Sequence, residues 1–369
     1  MTAILTVLLL VAGDIYAFNY FVAPPPLGND SNSGTSWASP FATIQKAIST
    51  ASEGQSIAVT NGVYTNVPVN INKGVSVIGV NGPQVTKISG VSSNWKKRCV
   101  IMTSANALLD GFTLEKGGIM INEGYGGGLY ISAGTVNNCI ITNCLAWFQD
   151  MVGGGASGGG IYATGGFVKN TIIRNCRAYG WNSVAWGGGI YTRGGIFSNI
   201  SVISCVATVF MSDVAHGGGV YIDSPSVKIY DSLIISNRAN GQTHSSSGGG
   251  VRMNCGLIMN STIAYNYCER GHAGGIFMLG GTSINIRVYN NIVSHRPFVG
   301  GNANAAGVYI MGGLIYGASI VSNYAWPWNG GVGGGVVLDG SSAAVVNLSL
   351  IHISEPTRLL SISYAVFCL

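Results

Sequence analysis

Charged residues are scarce in this chain. Only 8% of its 369 residues are Asp, Glu, Lys or Arg, and 18 basic against 13 acidic side chains give a formal net charge of +5. Hydrophobic residues make up 47%, and the 56 glycines do not follow the strict three-residue period of collagen. This composition excludes a disordered chain and a collagen-like chain, and it indicates a folded protein with many glycine turns.

Sustained helical periodicity is missing too, and a short repeated phrase takes its place. Eight times a glycine cluster is followed by an aliphatic residue and then usually by an aromatic one. The last glycines of the eight copies stand at positions 128, 160, 189, 219, 250, 275, 307 and 335. Their mean spacing is about 30 residues, which is typical of a solenoid. A second phrase, represented by Asn170 to Ala178, recurs between the copies.

The residues after each glycine cluster alternate in the way a half-buried strand requires. Positions one and three, such as Leu129 and Ile131, are mostly apolar, position two is mostly Tyr, and position four is often polar. Short strands without intervening helices can bury their inner faces only by coiling onto the next turn. The sequence therefore predicts an all-β, right-handed parallel β-helix as a single domain over 18–347, with regular repeats from about residue 118.

Equal positions in successive coils should stack about 4.8 Å apart, so that like residues form ladders. Seven cysteines precede residue 348, and this odd number favours buried thiols acting as small hydrophobic groups over disulfide staples between coils. Three ladders are expected: thiols at Cys144, Cys176 and Cys205; inward amides at Asn143 and Asn175, continued by Ser204; and rings at Tyr130, Tyr162, Tyr191, Tyr221, Phe277 and Tyr309.

Long apolar runs are confined to the N-terminus. The stretch from Thr2 to Ala12 is almost wholly apolar and Ala17 follows it, which predicts a secretory leader over 1–17. The run is too short for an ordinary transmembrane helix, and no other segment qualifies. We therefore expect a secreted or cell-surface protein, with outer-membrane association left open.

The C-terminal segment has a different character. The stretch from Leu348 to Arg358 resembles the translation of a transposase-type sequencing adaptor, and the match continues through a short index to Leu369. We interpret 348–369 as adaptor sequence and leave it out of the fold prediction. The natural chain is then expected to continue beyond Asn347.

Several N-terminal stretches carry a family resemblance. The segments Gly28 to Trp37, Pro40 to Ile48, Gly54 to Val59 and Gly62 to Thr65 resemble the opening of secreted bacterial pectin-lyase-like β-helix proteins. The later glycine and Asn phrases are similar to those of polymorphic outer-membrane proteins. The resemblance implies a β-helix but leaves the activity open, because this fold hosts lyases, hydrolases, adhesins and inert surface proteins.

The resemblance also implies a short capping helix, at about 39–52, that plugs the open end of the solenoid. Ser39 is predicted as its N-cap and Pro40 as its first helical residue. The side chains expected to share its buried face are Phe41, Ile44, Ile48 and Ala51.

Clustered acidic residues are absent from the repeats. The acids there are scattered, about one per coil, which argues against the carboxylate pair of glycosidases and against a Ca²⁺ site. We expect neither a metal nor another cofactor. Metal-independent uronate lyases use Lys, Arg, His or Tyr, and an imidazole with a guanidinium could neutralise a uronate carboxylate and remove its α-proton. The candidates are His216, His244, Arg238 and Arg252, and solvated loop side chains are the alternative interpretation.

Aromatic residues in the loops before the glycine clusters form the second candidate site. Stacked coils would bring them into a column, and flat rings suit the apolar faces of sugars. Packing of these rings on one another is the alternative. The sequence predicts a glycan-binding or adhesin-like extracellular protein without a nucleic-acid partner, and a metal-independent lyase of acidic polysaccharides as the alternative. The proposed binding residues are Trp147, Trp181, Trp186, Phe210, Trp326 and Trp328.

Overall fold

The structure is a computed structural model that describes residues 17–90, 97–120, 124–149, 154–210, 214–241, 246–294, 305–326 and 333–351. In these ranges the chain is almost entirely β-structure, and successive strands pair in parallel, one coil on the next. The protein is a parallel β-helix, as the sequence predicts. The coils of the middle repeats pass in turn through four sheets, which we call sheets A, B, C and D, whereas the described strands before Gly118 belong to sheets A and B only.

Sheets A and B enclose the main core. Among the described residues, sheet A contains Tyr20–Val22, Ser56–Val59, Val69–Ile71, Ser76–Gly79, Val100–Met102, Leu108–Asp110, Leu129–Ile131, Thr135–Asn137, Ile161–Lys169, Ile190–Ser198, Val220–Ile222, Lys228–Tyr230, Val251–Met253, Leu257–Met259, Ile276–Met278, Thr282–Ile284, Val308–Tyr316 and Val336–Val346. Sheet B contains Gly62–Tyr64, Thr86–Ser89, Thr113–Glu115, Ile140–Thr142, Ile172–Arg174, Ser201–Ile203, Leu233–Ile235, Thr262–Ala264, Arg287–Tyr289, Ser319–Val321 and Ser349–Ile351.

Sheets C and D form a thinner extension of the coils. Their facing side chains are mostly alanines, such as Ala178 of sheet C and Ala185 of sheet D, so the two sheets pack closely together. Sheet C contains Gly118–Met120, Leu145–Gln149, Arg177–Trp181, Val206–Phe210, Arg238–Asn240, Tyr267–Glu269, Ile292–Ser294 and Tyr324–Trp326. Sheet D contains Gly155–Ser157, Val184–Trp186, Ala215–His216, Ser246–Ser247 and Gly271–His272.

The eight glycine phrases occupy one place in the fold, the corner at which each coil enters sheet A. Their first aliphatic residues pair in a single register, from Leu129 with Ile161 onward to Val308 with Val336. Positions one and three are buried in the first seven copies, which confirms the predicted inward face. The eighth copy departs from it, since Leu338 is exposed where no further described coil covers it.

Glycine is favoured at this corner for two reasons. The first residue of the cluster is left-handed in seven of the eight copies, as at Gly187 with φ of 60°, and glycine fills six of these positions and Ala273 the other. The third glycine lies against the core: a Cβ on Gly189 would stand 2.7 Å from Val202 Cγ1 and 3.1 Å from Cys205 Sγ. The repeated glycines therefore follow from the close approach of backbone to core.

The thiol ladder is confirmed, whereas the predicted inward amide ladder is wrong. Cys144, Cys176 and Cys205 are buried, and the seven cysteines of the described ranges are free thiols. Asn143 and Asn175 instead are exposed with positive φ, as is Ser204, because each makes the left-handed turn between sheets B and C. The inward amides continue the thiol column at Asn237, Asn266, Asn291 and Asn323.

The capping helix is present but begins later than predicted. It spans Ile44–Thr50, and Thr43, not Ser39, is the N-cap. Pro40 cannot begin the helix because Phe41 forms a parallel bridge with Val22. The Asp30 carboxylate then accepts hydrogen bonds from the backbone N–H groups of Ala42 and Thr43. The expected apolar face is confirmed by the burial of Phe41, Ile44, Ile48 and Ala51 in the main core.

The two terminal predictions fall largely outside the described residues. Residues 1–16 of the leader and residues 352–369 of the adaptor-like segment are not described, and Ser349–Ile351 pairs with Ser319–Val321. Both interpretations stay predictions. In the part of the chain that is described, no helix has the length and apolar character needed to cross a membrane.

Candidate functional site

Two rows of outward side chains meet at the glycine corner. The sheet D row precedes the glycines and is in register from Ser157 through Trp186, His216 and Ser247 to His272. The sheet A row is position two of the phrase. Both rows point away from the cores, so their contact means that the corner is concave on its outer side. We call this concave strip, with the sheet A residues beside it, the corner groove. Its contacts include ring centroid distances of 6.1 Å for Trp186–Tyr191, 6.3 Å for His216–Tyr221 and 5.1 Å for His272–Tyr309.

The sheet A row is the predicted aromatic ladder. Neighbouring rings stack with centroids 5.1–5.7 Å apart and interplanar angles of 4–15°. This stacking covers the ring faces, and Tyr191, Tyr221 and Phe277 are buried. The ladder therefore presents ring edges and hydroxyl groups to the groove, and its faces serve packing. The stacked pairs are Tyr130–Tyr162, Tyr162–Tyr191, Tyr191–Tyr221 and Phe277–Tyr309.

Arg252 interrupts the aromatic ladder and takes the place of one ring. Its guanidinium carbon lies 5.7 Å from the Tyr221 ring centroid and 5.0 Å from that of Phe277, so a cation–π stack continues the column. Its Nη1 donates to Ser247 Oγ at 2.5 Å, and its Nε lies 3.4 Å from Asn254 Oδ1. Burial lowers the pKa of Arg252, although the guanidinium stays charged.

His216 is held in its neutral form. Ser247 Oγ lies 2.8 Å from His216 Nδ1, and Arg252 Nη1 lies 3.2 Å from the same nitrogen. Burial first, and then the positive charge of Arg252, hold the pKa of His216 well below its usual value of 6.5. Burial and Arg252 also lower the pKa of His272, against an opposing effect of Asp339. Both imidazoles are thus uncharged near neutral pH, and each has a ring nitrogen that can accept a hydrogen bond.

Asp223 organises the polar side of the groove. Tyr191 Oη donates to Asp223 Oδ2 at 2.8 Å, and Asn254 Nδ2 donates to Asp223 Oδ1 at 2.8 Å. The Asn254 amide also reaches Tyr221 Oη at 2.9 Å, and Arg193 Nε lies 3.8 Å from the carboxylate. Burial, followed by the bond to Asp223, raises the pKa of Tyr191. Polar groups from three consecutive coils are therefore fixed in position.

The four predicted catalytic candidates do not form one cluster. His216 and Arg252 contact each other, but Arg238 lies on sheet C, where it pairs with Glu269 and stacks 5.0 Å from the Tyr267 ring centroid. Outward side chains of sheet C point away from the corner groove, so Arg238 cannot contact His216 and Arg252. The fourth candidate, His244, lies outside the described residues.

The predicted aromatic column is also divided. Trp186 lies in the corner groove, whereas Trp147, Trp181, Phe210 and Trp326 belong to sheet C. The division arises because the left-handed turn at Asn182 carries the chain from one sheet to the other.

The rings on sheet C largely contact one another. Trp181 and Phe210 lie 4.6 Å apart, and Trp147 meets Tyr179 edge to face at 5.7 Å. Packing of aromatic residues on one another, the alternative interpretation, therefore describes these pairs well. Phe210 and Trp326 remain exposed, and Trp328 lies outside the described residues.

Sequence reasoning did not single out Ser247, Asp223 and Asn254 as groove residues. Each of them had a signal in the repeat. Ser247 precedes a glycine cluster, as His216 does, and Asp223 and Asn254 occupy the polar fourth position of two consecutive copies. Within the described ranges, no group of three His, Cys, Asp or Glu side chains is placed to hold a metal ion.

Comparison with known proteins leaves the activity open. Residues 27–172 match a family described as a protein of unknown function, DUF1565. No curated protein matches the chain.

Similar solved structures include a pectin methylesterase from carrot (14% identity, TM-score 0.38, 93% of this chain and 91% of that one). They also include the pectate lyase Pel9A (16% identity, TM-score 0.44, 89% and 78%) and a rhamnogalacturonan lyase (13% identity, TM-score 0.37, 90% and 87%).

Proposed function

We propose that the corner groove binds an extended carbohydrate chain and that the protein acts outside the cell as a glycan-binding, adhesin-like protein. The observation that carries this proposal is the pair of facing rows, with Trp186, His216 and His272 opposite the ladder of sheet A. Concave sites that combine aromatic side chains with a few fixed polar groups are typical ligand sites.

The chemistry of the groove suits a hydroxyl-rich ligand. Asp223 offers carboxylate oxygens, Asn254 an amide, and Tyr191 a phenol whose position the neighbouring coil fixes. Trp186 adds a half-buried indole on the opposite wall. Because coils repeat about every 4.8 Å, the same kinds of group recur along the axis, as a polymeric ligand requires.

A glycan array and polysaccharide pull-down test the proposal. We expect Trp186→Ala to weaken binding about tenfold or more, because it removes the largest ring of the groove wall. Trp326→Ala is the matched control, since this exposed indole lies on sheet C. Both variants are compared after their thermal midpoints show that they are folded.

The result of that test can overturn the site or the function. Loss of binding in Trp326→Ala alone would move the site to sheet C. Glycan binding would be refuted if the wild-type protein bound none of a broad set of neutral and acidic polysaccharides.

A metal-independent polysaccharide lyase is the second candidate, and the contact between His216 and Arg252 favours it. A neutral imidazole can act as a base while a guanidinium neutralises a uronate carboxylate. Incubation with uronate polymers should then raise the ultraviolet absorbance of unsaturated products, and His216→Gln should abolish the rise. No rise with the wild-type protein would refute the lyase. The extracellular location rests on the leader over 1–17, and secretion of the full chain with cleavage near Ala17 tests it.

A further inference from the structure

We infer that Arg252 is an anion-binding subsite of the corner groove, which selects a glycan that carries isolated carboxylate or sulfate groups among uncharged sugars. The inference rests on the proposed glycan-binding function and specifies its ligand. It concerns one position of the sheet A row, where Tyr221 and Phe277 occupy the neighbouring coils.

The guanidinium is held rigidly before any ligand arrives. The rings of Tyr221 and Phe277 lie on its two sides, at 5.7 Å and 5.0 Å, and Ser247 fixes Nη1. A planar fork with restricted rotation loses little entropy when it binds a carboxylate or sulfate. The arrangement is therefore preorganised for a planar or tetrahedral oxyanion.

Arg252 has a donor left for a ligand, and the nearest acidic influence on it, Asp223, acts without direct contact. Among the described residues no carboxylate lies within 4.0 Å of it, since Asp223 pairs with Arg193 and Glu269 with Arg238. Its hydrogen bonds within the described ranges use Nε and Nη1 and not Nη2, and the Tyr221 side chain adds a further polar interaction with the guanidinium. Asp223 attracts the half-buried guanidinium only at a distance, so a charge-assisted bond from an anionic ligand would stabilise it further.

The neighbouring coils argue against a ligand that is acidic at every sugar. One coil earlier on sheet A the groove carries the Asp223 carboxylate, which would repel a second acidic group. One coil later begins the Phe277–Tyr309 stack, in which the Tyr309 hydroxyl donates to Asp339. The charge pattern thus fits an acidic group flanked by neutral sugars.

Calorimetric titration of the full-length protein tests the subsite. The probes are an oligosaccharide of alternating uronate and neutral sugars, its carboxyl-reduced form, a homopolymeric oligouronate of equal length, and a neutral oligosaccharide with and without one sulfate group. We expect the alternating uronate or the monosulfated probe to bind about tenfold more tightly than its uncharged counterpart. The preferred anion identifies whether the natural group is a carboxylate or a sulfate.

Substitutions connect that preference with Arg252. Arg252→Gln should abolish the preference and retain the weaker binding of the uncharged probes, and Arg252→Lys should keep part of it. Arg174→Gln removes one positive charge from an exposed position of sheet B and should leave the affinities of all probes unchanged. Equal wild-type affinity for charged and uncharged probes would overturn the subsite while glycan binding stands. Equal affinity for the homopolymer would overturn the preference for isolated charges, and no binding of any probe would overturn the proposed function itself.

Discussion

His216 Nδ1 lies 2.8 Å from Ser247 Oγ and is the end of a chain of hydrogen bonds that starts at Arg252. Arg252 donates to the serine oxygen and also lies 3.2 and 3.4 Å from the two nitrogens of the His216 ring, so a positive charge on that ring would face the guanidinium directly. The chain joins two consecutive coils and both walls of the groove, so the protonation of one imidazole affects stability as well as binding.

We expect the protein to lose stability as the pH falls below about 6.5, the usual pKa of histidine. The pKa values of His216 and His272 are lowered in the folded state, so the unfolded chain binds protons at pH values where the folded chain does not. The unfolding free energy should then decrease by up to about 1.4 kcal/mol per pH unit and per histidine, down to the folded-state pKa. Denaturant unfolding at a series of pH values between about 8 and 5 measures this dependence of the unfolding free energy on pH.

A substitution separates His216 from the other titrating groups. His216→Gln removes the titration while keeping a polar side chain, so its unfolding free energy should depend less on pH over the same window. The Arg252 guanidinium and the His272 ring are the other charged or titratable groups that act on this imidazole. Identical pH dependence in the wild-type protein and the variant would contradict the assignment.

Asn266 should be one of the most important polar residues for stability. Its Oδ1 accepts from Asn237 N and Nδ2 at 2.9 and 3.0 Å, and its Nδ2 donates to Ile234 O and Asn291 Oδ1 at 2.9 and 3.0 Å. Asn266→Ala would leave several buried groups unpaired, at a cost of about 2–4 kcal/mol. Urea unfolding gives the difference directly.

Asn70→Ala provides the matched control for the amide ladder. Asn70 occupies the exposed middle position of a short sheet A strand, so its loss should change the unfolding free energy by less than about 0.5 kcal/mol. Equal losses in the two variants would mean that the inward amides contribute nothing beyond strand formation. Asn266→Cys is an informative third variant, because it places a thiol in the inward column without restoring the amide bonds.

The sequence predicts the solenoid well because every coil makes the same contacts with the next coil. Glycine and aliphatic residues of each phrase are in contact with the same phrase one coil away, so register can be inferred from spacing alone. The amide column was harder to predict: Asn143 and Asn266 are both repeated Asn residues, but only the turn geometry decides that one faces solvent and the other the core.

The groove could be predicted only in part, because it forms across sheets. Trp181 and Trp186 are five positions apart, yet the turn at Asn182 puts them on different sheets. Arg238 and Arg252 likewise lie on different sheets, C and A, and the spacing of the repeat does not show to which sheet each belongs. The chemistry of their side chains was enough to suggest His216 and Arg252 from the sequence. Only the path of the coils shows that Ser247, Asp223 and Asn254 lie beside them.

The third glycine of each phrase should tolerate no side chain. In Gly189→Ala the new Cβ would lie 2.7 Å from Val202 Cγ1 and 2.9 Å from Gly219 O, so core and backbone would both have to shift. We expect a loss of about 1–3 kcal/mol in unfolding free energy. Gly82→Ala meets no atom within 4 Å and bears only the cost of its φ of 80°, about 1–2 kcal/mol. A smaller loss at Gly189 than at Gly82 would contradict the close packing of the corner.

Thiol labelling should distinguish the core column from the one accessible cysteine of the described residues. Cys144, Cys176 and Cys205 are buried, whereas Cys255 is half-buried, so an aromatic disulfide reagent should label Cys255 first and the others only on unfolding. The experiment uses a Cys368→Ser background, because Cys368 lies outside the described residues. Burial raises the pKa of Cys255, so its labelling should accelerate as the pH rises. Cys255→Ser should remove the fast phase and Cys139→Ser should retain it; rapid labelling of several thiols in the folded protein would show that the coils open readily.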